Sequence, residues 1–171
     1  MELIRARDFA KVREKFVEVI AKTPDMKKYA RWDYGLHPTD EMIQGYMDRG
    51  EMFIYMEENR IAGMAAITMY QGEDYRDISW DISLDNDQVL VIHILAVSLD
   101  YHGKGIAKKM LKEFVELAVN SGKKAVRLDA LESNKPAHQL YESLGFLLKG
   151  KRKLYAENTG WTDFRFYELV L

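Results

Sequence analysis

Two glycines and two lysines lie where an apolar segment of the chain meets a helical pattern. The run from Val89 to Val97 is apolar apart from His93, and Gly103-Lys104-Gly105 stands just before an amphipathic stretch. A helix that begins directly after such a turn presents free backbone N–H groups and the positive end of its dipole at one spot. The sequence therefore predicts a phosphate site at this junction. Lys104 and Lys108 would add positive charge at its rim, unless they only form a solvated helix face.

Three interpretations of this turn compete. A nucleoside-triphosphate loop needs G-x-x-x-x-G-K-[ST], but Ile106 follows Gly105, so the lysine and the hydroxyl group are both missing. A dinucleotide fingerprint needs G-x-G-x-x-G; Gly103 and Gly105 match, whereas Lys108 stands at the third position. Asp129 lies at a suitable distance along the chain to accept a ribose hydroxyl in that interpretation. In the third, the glycines merely permit a tight turn.

His93 is the second candidate for chemistry, because it interrupts an apolar strand pattern. Period-two alternation predicts that it shares a face with Val91, Leu95 and Val97. A histidine with an ordinary pKa near 6.5 can accept a proton at neutral pH, although a satisfied core histidine is an equal alternative. No metal site is predicted, because the four histidines form no pair at helical spacing with an acidic partner. A serine hydrolase is not indicated either, because no G-x-S-x-G motif occurs.

The composition is that of an ordinary globular domain. Of 171 residues, 47% are hydrophobic and 30% are charged, so a single domain over residues 1–171 is expected. The formal net charge of -2 argues against a nucleic-acid binder. The chain has no cysteine, its first residues are too charged for a signal peptide, and no apolar run reaches the roughly 20 residues that span a bilayer. These observations predict a cytoplasmic protein that does not enter a membrane.

Hydrophobic periodicity predicts elements in the order β-α-α-β-β-β-α-β-α-β-β. The strands at 89–97 and 125–131 flank a helix at 106–120, and this crossover predicts that the two strands are parallel. The polar segment 71–87 is expected to be a loop with some local structure. A mixed sheet in an α/β or α+β domain follows. The other predicted segments are 3–6, 8–21, 39–50, 52–56, 61–68, 134–145, 146–155 and 164–171.

Two motifs in this region resemble those of the GCN5-related N-acetyltransferase (GNAT) superfamily. The segment from Leu95 to Ala107 resembles motif A, Q/R-x-x-G-x-G/A, with His102, Gly105 and Ala107 at the three marked positions. Asn134-x-x-Ala137-x-x-x-Tyr141-x-x-x-Gly145-Phe146 resembles motif B at the expected spacing. The resemblance is strong over residues 89–146. His102 departs from it, since the family usually has Gln or Arg at this position.

The resemblance implies a fold and an activity. The fold would be a single-domain α/β (α+β) structure, with a mixed, mostly antiparallel sheet of about seven strands, a splayed parallel pair, and about four flanking helices. The activity would be acetyl-coenzyme A dependent N-acetyltransfer to a primary amine of a small molecule or peptide, by direct attack on the thioester. No metal, nucleic acid or membrane would take part, and the terminal hairpin could supply the edge of a homodimer. An acyl-coenzyme A binding sensor without turnover is the alternative.

The resemblance also assigns roles to individual residues. Tyr141 would protonate the coenzyme A thiolate, and His93 would act as the base, at a position like that of a base histidine in the arylalkylamine N-acetyltransferase branch. Asn134 would hydrogen-bond the cofactor arm, cap the helix that contains Tyr141, or do both. Backbone groups of Leu95, Ala96 and Val97 would hold the thioester arm. The pyrophosphate would be bound by the turn residues His102, Gly103, Lys104, Gly105, Ile106, Ala107 and Lys108.

In such a fold the first two helices, their connection and the last hairpin form the acceptor site. An aromatic and acidic pocket there would suit a cationic amine. Alternatively, most of these aromatic side chains only pack against the sheet. The residues concerned are Tyr29, Trp32, Tyr34, His37, Tyr155, Trp161, Phe164 and Tyr167, with Asp33, Glu157 and Asp163 among them.

Overall fold

The computed structural model describes residues 1–171 and contains four α-helices and a seven-stranded sheet. None of the helices is both long enough and apolar enough to cross a membrane. The helices are α1 (Phe9–Lys22), α2 (Asp40–Asp48), α3 (Ile106–Asn120) and α4 (Lys135–Ser143). The strands are β1 (Glu2–Arg5), β2 (Met52–Glu57), β3 (Arg60–Thr68), β4 (Val89–Val97), β5 (Ala125–Leu131), β6 (Leu147–Ala156) and β7 (Gly160–Val170).

The sheet has the strand order β1-β2-β3-β4-β5-β7-β6. Only β4 and β5 are parallel, and α3 connects them; all other neighbours are antiparallel. The predicted element order, the mixed sheet and its single parallel pair are therefore confirmed. The last strand begins at Gly160 rather than near Phe164, because the β6–β7 hairpin stays paired up to its tip, where Ala156 lies opposite Gly160.

Helices cover both faces of the sheet. Side chains of α3, among them Ile106 and Phe114, are fully buried in the largest apolar cluster on one face. Phe16 of α1 and Ile43 of α2 are fully buried on the other face. Asp8 accepts a hydrogen bond from the third residue of α1 at 3.1 Å, which satisfies one of the N–H groups that a helix start leaves free.

The parallel pair separates halfway along its length. β4 pairs with β5 from Val89 to Ile92, opposite residues 125–128, and the remainder of β4 has no strand beside it on that side. A β-bulge marks the separation: Ile94 has a φ of 44°, and the register against β3 shifts between Met64 and Ala66. Such a bulge bends the strand and redirects its backbone groups. It leaves an open backbone edge in the middle of the sheet.

The bulge also corrects the predicted face of His93. Because it inserts a residue into β4, the alternation of side chains does not continue through it. Leu95 and Val97 pack against the apolar cluster on the α3 face, as Ile92 does. His93 lies on the opposite face and stacks on Tyr46 of α2, with 5.9 Å between the ring centroids.

The predicted loop 71–87 is anchored by a buried ion pair. Arg127 of β5 and Glu168 of β7 are each 1% exposed and form a salt bridge of 2.7 Å. The Arg127 guanidinium also donates to the side chain of Gln71 and, at 3.2 Å, to the carbonyl of Ile82, while Glu168 accepts from the Asp81 N–H at 2.9 Å. The loop is therefore fixed to the sheet at its start and again at residues 81–82.

Candidate active site

The glycine turn before α3 has the geometry that an anion needs. Gly103 and Gly105 both have a φ of 74°, a left-handed conformation that side chains disfavour, and open space lies where their Cβ atoms would be. The backbone N–H groups of Gly103, Gly105 and the first three residues of α3 make no backbone hydrogen bond. Lys104 and Lys108 are exposed beside them. These features fit the diphosphate of coenzyme A.

His102 connects this turn to the end of β4. Its side chain is exposed, and its Nε2 lies 3.0 Å from the carbonyl oxygen of Val97. A carbonyl can only accept, so Nε2 carries the hydrogen in this contact. His102, the residue that departs from motif A, therefore connects the turn to the end of β4 by a hydrogen bond. As a result, the Val97 carbonyl already has one hydrogen-bond partner.

Tyr141 and Asn134 lie in a cavity of about 110 Å³ at the point where the parallel strands separate, together with Leu95. Asn134 caps α4 by accepting from the Ala137 N–H at 3.4 Å. Tyr141 is 7% exposed. Burial, and then the charge of Asp129, raise the pKa of Tyr141 above its ordinary value. Its phenol is therefore fully protonated at neutral pH.

The hydrogen bonds of His93 determine its tautomer. The hydroxyl group of Thr68 donates its one hydrogen to the Tyr70 carbonyl at 2.7 Å, so its oxygen can only accept from His93 Nε2, at 3.2 Å. Nδ1 of the neutral ring is then the acceptor. Burial lowers the pKa of His93 to about 4, so the ring is neutral at pH 7.

The sequence did not identify Asp129 as a residue of this site. It lies on β5 and lines three neighbouring cavities: that of Tyr141, one of about 140 Å³ next to His93, and an outer one of about 400 Å³. The hydroxyl group of Tyr75 donates to it at 2.5 Å, and no salt bridge includes it. Burial raises the pKa of Asp129 to about 6. Its one signal in the sequence is an isolated acidic residue in an apolar strand.

The acceptor side contains some of the predicted aromatic residues. Trp32, His37 and Phe164 line the 140 Å³ cavity, and Tyr155 and Trp161 line the outer one. Of the others, Tyr34 hydrogen-bonds Asp40 at 2.5 Å, Tyr167 is fully buried in the core, and Tyr29 lines none of the three cavities. Asp33, Glu157 and Asp163 do not line them either. Lining residues that the sequence did not indicate include Met42, Tyr46 and Asn158 in the 140 Å³ cavity, and Tyr75, Asp74, Arg152 and Lys153 in the outer one.

Comparison with known proteins agrees with this geometry. The model of the acetyltransferase (GNAT) family matches residues 20–146. Thialysine N-epsilon-acetyltransferase of Mus musculus is 39% identical over 66 residues, which are 39% of this chain and only 35% of that protein. Among solved structures, a GNAT-family acetyltransferase of Listeria monocytogenes superposes with a TM-score of 0.73 at 22% identity, covering 99% of this chain and 94% of its own. The yncA protein of Salmonella typhimurium, solved with its cofactor acetyl-CoA, gives a TM-score of 0.68 at 19% identity, covering 100% and 94%.

Proposed function

This chain belongs to the acetyltransferase (GNAT) family, and on that premise we propose that residues 1–171 form one domain that transfers an acetyl group from acetyl-coenzyme A to the primary amine of a small molecule. Members of the family are N-acetyltransferases that use acetyl-coenzyme A. One observation carries the proposal for this chain. Leu95, Asn134 and Tyr141 line a single cavity where β5 leaves β4, so an open backbone edge and a protonated phenol lie at the same place.

The donor is bound by backbone groups more than by side chains. The unbonded N–H groups of residues 103 and 105–108 hold the diphosphate, and Lys104 and Lys108 add positive charge. Backbone groups of Leu95, Ala96 and Val97 hold the thioester arm along the open edge of β4, in the manner of an added strand. An N–H group at this edge stabilises negative charge on the carbonyl oxygen.

Two side chains then move the protons. The acceptor amine must be neutral to attack, although an alkyl ammonium has a pKa of about 10.4. Nδ1 of His93 takes that proton, directly or through water, and passes it to solvent. As the C–N bond forms and the C–S bond breaks, the Tyr141 hydroxyl donates its proton to the departing sulfur. The nitrogen releases its second proton to solvent as it becomes an amide, and Tyr141 regains a proton from solvent.

The acceptor is a small cationic amine. The 140 Å³ cavity contains one carboxylate, that of Asp129, and no lysine or arginine. A carboxylate without a cationic partner in such a cavity favours a positively charged ligand. Trp32 and Phe164 add aromatic surface of the kind that binds ammonium groups. The name of the mouse relative indicates that it, too, acylates an amine carried by a small molecule.

The test is thiol release from acetyl-coenzyme A across a panel of primary amines, with mass spectrometry of the products. We expect release that depends on the amine, and one acetyl group gained by that amine. Tyr141→Phe should slow it, while Tyr29→Phe, a hydroxyl outside the three cavities, should not. Tight binding of acetyl-coenzyme A with no turnover on any amine would contradict the proposal and indicate a sensor.

A further inference from the structure

The loop between β3 and β4 lines the outer cavity of the candidate active site with Asp74 and Tyr75, and of these Tyr75 hydrogen-bonds Asp129. Tyr75 is 4% exposed, and its hydroxyl group donates to the Asp129 carboxylate at 2.5 Å. This is the one side-chain hydrogen bond that the Asp129 carboxylate makes within the protein. The position of Tyr75 therefore determines how this carboxylate is hydrogen-bonded.

Trp80 holds Tyr75 in place from within the same loop. The two rings stack with a centroid distance of 5.9 Å and an interplanar angle of 12°. The indole N–H of Trp80 also donates to the Tyr75 carbonyl at 2.8 Å. Trp80 thus contacts both the ring and the backbone of Tyr75, whose ring also packs edge-on against Phe166 of β7 at 5.2 Å between the centroids.

Trp80 in turn lies against the buried ion pair. The guanidinium carbon of Arg127 is 4.0 Å from the centroid of the Trp80 ring, and Arg127 is paired with Glu168. A guanidinium so close to an aromatic face is held by cation–π attraction, which is strongest where water is excluded. Contacts therefore run without a gap from Glu168 through Arg127, Trp80 and Tyr75 to Asp129.

We propose that Arg127 and Glu168 are positioning residues for amine binding, which act on Asp129 through Trp80 and Tyr75. This inference rests on the proposed function, since it assumes that Asp129 attracts the acceptor. The ion pair serves the site rather than stability alone, because a buried ion pair is often no more stabilising than apolar side chains of similar size. The ion pair holds the β3–β4 loop against the cavity, and Tyr75 of this loop then orients the Asp129 carboxylate.

The test is a double-mutant cycle between the ion pair and Tyr75. Arg127→Met/Glu168→Leu replaces both charges together, so that no unpaired charge is left in the core. Tyr75→Phe removes only the hydrogen bond to Asp129. Each is expected to raise KM for the amine about tenfold while kcat changes by less than about threefold, as for the loss of one hydrogen bond to a charged group. The combined variant should raise KM no further, since both changes break the same connection.

The control is a second ion pair between the same two regions of the chain. Glu132, just after β5, and Arg165 of β7 form a salt bridge of 2.5 Å that is partly exposed and lines none of the three cavities. Arg165→Met/Glu132→Leu should leave KM for the amine unchanged. If its KM rises as much as that of the buried pair, the proposal is wrong, because any ion pair in the sheet would then have the same effect.

A second readout does not depend on turnover. The carboxyl resonance of Asp129, followed by carbon NMR, should titrate at a different pH in Arg127→Met/Glu168→Leu, by the same amount as in Tyr75→Phe. The titratable groups around Asp129 are Tyr75 and Asp74 of the loop, His93 of β4, Tyr46 of α2, Tyr141 of α4, His37 of the α1–α2 connection, and Arg152, Lys153 and Tyr155 of β6. Of these groups, only Tyr75 is changed, and only in Tyr75→Phe; the others are the same in both variants.

The outcomes separate this inference from the proposed function. The positioning role would be overturned if the increases in KM of the two variants multiplied in the combined variant. It would also be overturned if Asp129 titrated at the same pH with and without the ion pair. Either result would hold even if the protein acetylates amines. If the double variant does not fold, Trp80→Leu breaks the same connection without touching the charges, and the same cycle with Tyr75→Phe applies. An absence of amine acetylation would contradict the proposed function, and the titration would still test the connection to Asp129.

Discussion

Tyr141 and Asp129 lie in the same cavity, and the proposed mechanism gives them opposite requirements for a proton. Tyr141 must retain its proton until the thiolate leaves, and burial together with the charge of Asp129 raises the pKa of Tyr141. Asp129 must lose its proton to attract an ammonium group. Because the negative charge of Asp129 makes Tyr141 harder to ionise, one carboxylate supports both functions.

Removal of the Tyr141 hydroxyl should impair catalysis more than binding. A general acid typically accelerates a reaction by about 10² to 10⁴. We expect Tyr141→Phe to lower kcat by about 100-fold and to leave the Kd of acetyl-coenzyme A within about twofold. Steady-state kinetics and calorimetry measure the two quantities. A variant that retained full kcat would show that the thiolate leaves without help from Tyr141.

Asp129 should determine the acid limb of the pH profile. Its pKa of about 6 lies above the ordinary value, so the carboxylate is protonated below pH 6 and becomes charged as the pH rises through 6. The pH dependence of kcat/KM for an amine reports the pKa values of groups in the free enzyme. The value of kcat/KM should therefore increase as the pH rises through this range. Asp129→Asn should abolish the limb. His93→Gln should lower kcat yet keep the limb, because the pKa of His93 is about 4. If His93→Gln abolished the acid limb and Asp129→Asn retained it, the two assignments would be reversed.

At the scale of the elements, the left-handed turn before α3 is the proposed phosphate site. Gly105→Ala places a Cβ in open space but at a φ of 74°, which should cost roughly 1 to 2 kcal/mol of stability. It also puts a methyl group where a phosphate must approach, so the Kd of coenzyme A should rise about tenfold. Gly122→Ala, at the other end of α3 with a φ of 69° and open space, is the matched control. It should lose similar stability on heating and bind coenzyme A normally in calorimetry.

Local signals were sufficient to predict these elements. The bounds 89–97, 106–120 and 125–131 are those of β4, α3 and β5, because strong apolar patterns end there at glycines and polar residues. The face of His93 could not be predicted, since a bulge at Ile94 depends on how β4 pairs with β3. Tyr75 and Arg127 were missed for a similar reason. Their partners, Asp129 and Gln71, lie more than 50 positions away along the chain, and a single sequence contains no signal for such contacts.

At the scale of the whole molecule, the proposed function places donor and acceptor on opposite sides of one break in the sheet. Asn134 and Tyr141 line the cavity at this break, and Trp32, His37 and Phe164 line both this cavity and the acceptor cavity of about 140 Å³. The two cavities therefore lie side by side where β4 and β5 separate. A donor bound there contacts elements that are distant in sequence, so its binding should stabilise the fold as a unit.

This linkage gives a test that requires no knowledge of the acceptor. A ligand that binds only the folded chain adds RT ln(1 + [L]/Kd), which is about 2.7 kcal/mol at a concentration of 100 times its Kd. Acetyl-coenzyme A should therefore raise the free energy of unfolding by about that amount, with a matching rise in Tm. NAD(H) also carries a diphosphate, but it has no thioester arm to pair with β4, and Lys108 occupies the position where a dinucleotide site needs glycine. It should leave Tm unchanged at the same concentration. If NAD(H) stabilised the protein and coenzyme A did not, the turn before α3 would be a dinucleotide site, and the open edge of β4 would not be the place where the donor binds.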